Sequence, residues 1–279
     1  MKLAIKIDVD TYRGTRDGVP ALAKLLKKRA VPATFLFSFG PDNTGKALRR
    51  IFRKGFLKKC LRSNVAGNYG IRTLLYGTLL PAPKIARLCS AQMAAAASDG
   101  FECGIHCWDH FKWQDYLFTM RDTEIEAEFS NARAEFEKVF GAEAKCCGAP
   151  GWQISPAALE VEDAANLLYA SDVRGEFPFI PKMGGRTFKT IQIPSTLPTL
   201  DEVLGTVKIG EVAEMHFAAQ LENPHAHGLD HTAELVRADV RLCVDQDVMR
   251  RAEAHEGAQD MLAARILRAG VELSIGKRA

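Results

Sequence analysis

Two aspartates close the run LAIKIDVD: Asp8 and Asp10, one residue apart at the end of an apolar segment. Two histidines, His106 and His110, stand four residues apart in GIHCWDHFKWQD. Carboxylates brought to the end of a buried segment carry a desolvation cost unless a partner compensates. A divalent cation is such a partner, and on a helix or tight loop an H-x-x-x-H pair can turn both imidazoles toward one point. Taken singly, each motif also fits a solvated turn or a chance spacing. Taken together, two His and one Asp make a ligand set with open coordination positions, the catalytic rather than the structural arrangement. The remaining aspartate then has a task of its own, taking a proton from a water whose pKa the cation lowers.

These residues need elements that bring them to one place. Strand-like runs are predicted at 2–8, 33–39, 102–107, 144–149, 167–172, 190–195 and 270–275, and helical patterns at 19–30, 85–100, 123–141 and 155–167. Strands alternating with long helices imply an α/β fold with a mostly parallel sheet, either a barrel or a doubly wound open sheet. In both, chemistry gathers at the carboxyl ends of the strands. Asp8 and Asp10, His106 and His110, and Asp172 with Arg174 fall at such ends.

The chain has 279 residues, 47% hydrophobic and 25% charged, which suits one large core and a single domain over 1–279. The opening MKLAIKIDVD is too short for a secretory h-region, and no apolar stretch is long enough to span a bilayer, so a cytoplasmic location is expected. The seven cysteines show neither a paired framework nor CxxC zinc spacing, which agrees with a reducing compartment. Charge is unevenly distributed. Residues 43–98 hold eleven Lys or Arg and no acid, so the rest of the chain is strongly acidic against a formal net of +3. Overlapping it, an insertion at about 41–83 mixes most of those cations with Ile51, Phe52, Phe56, Leu57 and Leu61. Cationic and apolar residues interleaved in this way suit an interfacial element on an anionic membrane surface. The stacking modules of nucleic-acid binders are missing, so no nucleic-acid partner is expected.

In order along the chain, IDVD, HCWDH, GAPGW and YASDVRG resemble the motifs of the polysaccharide deacetylase (NodB homology) family. The segments IDVDTYRGTRDGVPAL, GPDN, LRSN and IQIPSTLPTLDEV are similar to the branch of that family that deformylates 4-deoxy-4-formamido-L-arabinose carried on undecaprenyl phosphate. The resemblance implies a distorted (β/α)7 barrel and a divalent metal, Zn, Co or Mn, held by Asp10, His106 and His110. It implies Asp8 as general base, an oxyanion donor among the backbone N–H groups of Ala149 to Trp152, and a substrate site that includes Asn43, Pro150 and Trp152. It further implies an undecaprenyl-phosphate-linked amino sugar as substrate, met by an enzyme peripheral to the inner membrane. Arg62 and Asn64 of LRSN are candidates for the carrier phosphate.

Two positions depart from the family pattern. Gly148 stands where many members carry Arg, and Arg174 is the candidate for the missing cation that orients Asp8. For the catalytic acid two histidines compete. His216 sits in a helical pattern, whereas His231 falls where the family's late strand is expected and is preferred. Deacetylation of another N-acyl sugar or polysaccharide is the main alternative. A Mn-dependent DxD glycosyltransferase and a catalytically inactive lipid-binding module of the same fold are the others.

Overall fold

The computed structural model describes residues 2–47, 72–197, 199 and 239–245. Its centre is a seven-stranded sheet in which every ladder is parallel. The strands are β1 (Lys2–Val9), β2 (Ala33–Ser38), β3 (Glu102–Cys107), β4 (Cys146–Cys147) and β5 (Tyr169–Ala170). A small antiparallel hairpin follows, β6 (Lys182–Met183) with β7 (Arg186–Thr187), before β8 (Ile191–Gln192) and β9 (Asp239–Asp245). The order across the sheet is β8-β5-β4-β3-β2-β1-β9. This is the α/β architecture of the distorted (β/α)7 barrel, and among the described residues no ladder joins β8 to β9.

The helices form where the apolar period and the end signals agree. α1 (Val19–Lys28) starts with Pro20 in its first turn, where the missing N–H is harmless, and buries Val19, Leu22, Ala23 and Leu26 along one stripe. α2 (Ile85–Ser98) buries Ile85, Ala86, Met93 and Ala96. α3 (His110–Tyr116) is one short helix capped by Asp109, whose side chain accepts from the Lys112 N–H. α4 (Asp122–Phe140) stops at Gly141, which takes the left-handed φ of 68° that glycine adopts without penalty. α5 (Pro156–Ala164) has Ser155 as its cap and proline at its first position.

Strand alternation divides the sheet into two faces. Ile5, Ile7 and Val9 of β1, Phe35 and Phe37 of β2 and Ile105 of β3 pack with α1, α2 and α4 in one continuous core. The opposite face presents Lys6 and Asp8 from β1, Leu36 from β2, Gly104 and His106 from β3 and Gly148 just after β4. The strand expected at 270–275 lies outside the described residues. β9 lies beside β1 instead, in register from Lys2↔Asp239 to Asp8↔Asp245. The strands expected at 144–149, 167–172 and 190–195 pair over only two residues each, because the chain leaves the ladder to build loops at its carboxyl end.

Candidate metal centre and its surroundings

Asp10 lies just past the end of β1, and its two oxygens face the two histidines. His106 Nε2 is 3.2 Å from Asp10 Oδ1, and His110 Nε2 is 3.4 Å from Asp10 Oδ2. The two imidazole centroids are 5.2 Å apart. One ligand atom from each of Asp10, His106 and His110 falls within 4.8 Å of the others.

A bulge aims His106. The β2–β3 register runs Phe37↔Ile105 and then Ser38↔Cys107, so His106 is the extra residue in β3. An extra residue bends a strand and redirects the side chain it carries. The ring is then fixed from behind, since His106 Nδ1 lies 2.6 Å from the Gly148 carbonyl. With Nδ1 donating to that carbonyl, Nε2 turns its lone pair toward Asp10, the outer-shell arrangement typical of metal-ligating histidines. His110 is placed by the start of α3. The cap Asp109 is held in turn by Asn43, whose Nδ2 donates to Asp109 Oδ2 at 2.6 Å, while Glu128 of α4 accepts from the Asp109 backbone N–H and from Lys112 Nζ.

The electrostatics fit a divalent cation. Asp10 Oδ1 and His106 Nε2 are buried and lack a hydrogen-bond partner among the described residues, an expensive pairing in a closed site. Burial pushes the Asp10 carboxyl up, but His110, the His106 contact and Lys6 outweigh it and hold Asp10 well below the usual carboxylate range. Burial pulls His106 down, yet the charges of Asp8 and Asp10 raise it above its ordinary value. The pocket thus carries a negative field that draws in a proton, and a cation bound by two nitrogens and a carboxylate satisfies the same field.

Asp8 lies on the same face of β1 and outside that three-residue cluster. Its Oδ2 is 3.3 Å from Nζ of Lys6, a lysine only 1% exposed. Arg174, the cation expected from the sequence to orient Asp8, has its guanidinium 4.0 Å over the Trp152 ring. One ion pair on Asp8 comes from its own strand, from a lysine that looks in sequence like an ordinary surface residue of an alternating strand.

Around GAPGW the backbone donors are largely committed. Ala149 N–H donates to Asp172 Oδ1 at 2.7 Å, Gly148 N–H to Ile105 O and Trp152 N–H to Ala149 O. Pro150 has none. Gly151 takes the left-handed φ of +60° within this turn. A Cβ at 151 would meet the far end of the flexible Gln114 side chain at 2.6 Å, so it is the positive φ that favours glycine here. Trp152 Nε1 donates to Ser195 Oγ at 3.3 Å.

Behind the loop a second buried group, Cys147, Glu162 and Asp172, comes within the same mutual distance. Here the contacts are internal. Gln192 Nε2 donates to Asp172 Oδ2 at 2.6 Å and to Glu162 Oε2 at 3.3 Å. Burial, then the neighbouring Asp172, pushes the Glu162 carboxyl well above its usual range. This reads as a scaffold for the Ala149 turn rather than a second metal site.

A family model described as polysaccharide deacetylase matches residues 4–170, more than half of the chain. The chain belongs to the polysaccharide deacetylase family. Two curated relatives are described as probable 4-deoxy-4-formamido-L-arabinose-phosphoundecaprenol deformylases. One, from Shewanella sediminis, is 41% identical over 73% of this chain and 66% of its own length. The other, from Wigglesworthia glossinidia brevipalpis, is 34% identical over 68% of this chain and 67% of its own. This polysaccharide deacetylase chain therefore matches about two thirds of each relative's length. Among solved structures, a Mycobacterium smegmatis protein assigned to the polysaccharide deacetylases superposes with a TM-score of 0.59 at 14% identity, covering 99% of this chain and 84% of that one. That likeness speaks to the fold alone.

Of the residues singled out in the sequence, Asp10, His106 and His110 converge and Asp8 lies beside them on the same face of β1. Pro150 and Trp152 form the adjoining turn, and Asn43 is buried beneath the cap of α3. Arg62, Asn64, His216 and His231 lie outside the described residues. Lys6, Glu128, Glu162 and Gln192 went unmarked in the sequence, since a buried charged residue is visible only through what it packs against.

Proposed function

We propose that this chain is a metal-dependent N-deformylase that releases formate from 4-deoxy-4-formamido-L-arabinose carried on undecaprenyl phosphate, and that it works at the cytoplasmic face of an anionic membrane. The observation that carries the reading is the convergence of Asp10, His106 and His110, with Asp8 alongside, in a chain whose relatives are described as such deformylases. Asp10, His106 and His110 would hold a divalent cation, Zn, Co or Mn, through two nitrogens and a carboxylate. When bound, that cation supplies Lewis acidity, polarising a carbonyl and lowering the pKa of water.

The protein's own groups divide the remaining work. Asp8 accepts a proton from the attacking water. The Gly151 N–H donates to the carbonyl oxygen as negative charge develops there, the preorganised role of an oxyanion donor. The Trp152 ring, stacked under Arg174, walls the sugar side of the pocket. His231, with His216 as the alternative, gives a proton to the departing amine, and the C–N bond breaks to leave formate and the free 4-amino sugar. Arg62 and Asn64 meet the carrier phosphate, and the basic segment at 41–83 meets the lipid surface. No helix among the described residues is long and apolar enough to cross a membrane, so contact at the surface suffices for this reading.

The deciding assay is formate release from the formamido-arabinosyl lipid by metal-loaded protein. Stoichiometric formate is expected, lost on chelation and restored by Zn²⁺, Co²⁺ or Mn²⁺. No formate from that lipid, with acetate released from an N-acetyl sugar, would move the assignment to the deacetylase alternative. Within the assay, His231→Ala is expected to abolish turnover while His216→Ala retains it; the reverse would exchange their roles.

A further inference from the structure

Lys6 is the buried cation of this site. Its side chain is 1% exposed in the middle of β1, two residues before Asp8 and therefore on the same face of the strand. Nζ is 3.3 Å from Asp8 Oδ2 and donates to the carbonyl of Ser171 at 3.1 Å, immediately beyond β5. The space for this long side chain comes from glycine. A Cβ at Gly148 would sit 3.4 Å from Lys6 Nζ and 2.5 Å from Leu36 Cδ1. A lysine is seldom enclosed in this way unless its charge is matched. The charge is matched by Asp8 on one side; it also opposes the burial that raises the Asp172 carboxyl and adds to the charges that hold Asp10 low.

We propose that Lys6 is a positioning residue for the reaction, holding the Asp8 carboxylate out of the metal's coordination shell. The pocket offers a divalent cation one carboxylate and two imidazoles, and a second carboxylate on the same strand end is the natural fourth ligand. An aspartate bound to the cation could no longer accept a proton from water. The Nζ contact gives Asp8 a competing cation, and the Ser171 carbonyl fixes where that cation sits. Asp8 thus holds an ion pair with Lys6, while the two Asp10 oxygens lie against His106 and His110.

This inference rests on the hydrolase reading for its kinetic part only; its primary test uses Co²⁺ alone. Full-length protein is titrated with Co²⁺ and its visible absorption recorded for the parent, Lys6→Met, Lys6→Arg, Asp8→Asn and the Lys6→Met/Asp8→Asn double variant. Lys6→Met is expected to bind Co²⁺ about tenfold more tightly, since a nearby positive charge is gone and a carboxylate is released, and to show a changed spectrum as Asp8 joins the metal. Lys6→Arg is expected to keep the parent spectrum. In the Asp8→Asn background Lys6→Met is expected to leave the spectrum as it is. In formate release, Lys6→Met is expected to lower kcat by about 100-fold, the scale of a lost general base, with KM nearly constant. Lys6→Gln carries the same expectations where the Met variant fails to fold. A parent-like affinity and spectrum in the Met or Gln variant would overturn the proposal, and so would an equal spectral change with and without Asp8. A parent that binds Co²⁺ yet releases no formate sinks the deformylase reading, and the spectra still decide Lys6.

Discussion

Asp8→Asn keeps the size of the side chain and removes the carboxylate that Lys6 faces, leaving Asp10, His106 and His110 untouched. The expected outcome is a fall in kcat of about 10³-fold with unchanged metal content, measured by formate release and by metal analysis of the purified variant. Equal loss of metal and activity would instead make Asp8 a ligand. The Glu162–Asp172 pair gives a second prediction at this scale. Glu162 is raised well above its ordinary 4.5 by burial and by Asp172. Above that ordinary value the folded state still binds a proton that the unfolded chain has released, so stability falls as pH rises through the window up to the folded pKa. Glu162→Gln can still donate to Asp172 and has no proton to lose. Its urea midpoint is therefore expected to lose less than the parent's as pH rises above that ordinary value. A parent with no such decline would show that the pair shares no proton.

Elements position these groups through close approaches and caps. Gly104 in β3 lies against β4 and β2: a Cβ there would meet Cys146 Sγ at 2.5 Å, Cys146 O at 2.6 Å and Leu36 Cδ2 at 2.7 Å. Two of those atoms belong to side chains and one to backbone, so the sheet itself would have to shift. Gly104→Ala is expected to cost about 1–3 kcal/mol in denaturant unfolding, as overpacked cores do; a neutral effect would mean that β4 moves freely. Asp109 caps α3, the helix that begins with His110, and Asn43 and Glu128 hold that cap. Asp109→Ala is expected to lose about 1 kcal/mol as a cap and to weaken metal binding by about 10–100-fold as an outer support of a ligand. Competition titration with a chromogenic chelator reads the second effect, and unchanged metal affinity would confine Asp109 to capping.

For the whole molecule, the site joins elements distant in sequence, β1 with β3 and α3, so a bound cation ties the sheet together. Anything that binds only the folded state stabilises it by mass action, and metal at roughly 100 times its Kd adds about 2.7 kcal/mol. For a chain of this size that is an expected rise in Tm of about 5–10 °C over the chelated protein. Asp10→Asn and His106→Gln are expected to unfold at the same temperature with and without metal. A chelator that leaves the parent Tm unmoved would argue against a resident cation at this site.

The element types, the parallel sheet and the placing of Asp8, Asp10, His106 and His110 at or just beyond the carboxyl ends of β1 and β3 were legible in the chain, because local periodicity, glycine stops and strand ends are set by near neighbours. The helices expected at 19–30, 85–100 and 123–141 appear at Val19–Lys28, Ile85–Ser98 and Asp122–Phe140. The bulge that aims His106, the β9 pairing with β1 and the commitment of the Ala149 N–H to Asp172 were not legible, since each depends on partners many residues away. Lys6 illustrates the difference most clearly. In sequence it is a charged residue alternating with isoleucines, and its type says surface. Only the folded sheet, with Gly148 leaving room across from it and Asp8 beside it, turns that lysine inward, because a buried ammonium is stable only where tertiary structure has already gathered its counter-charges.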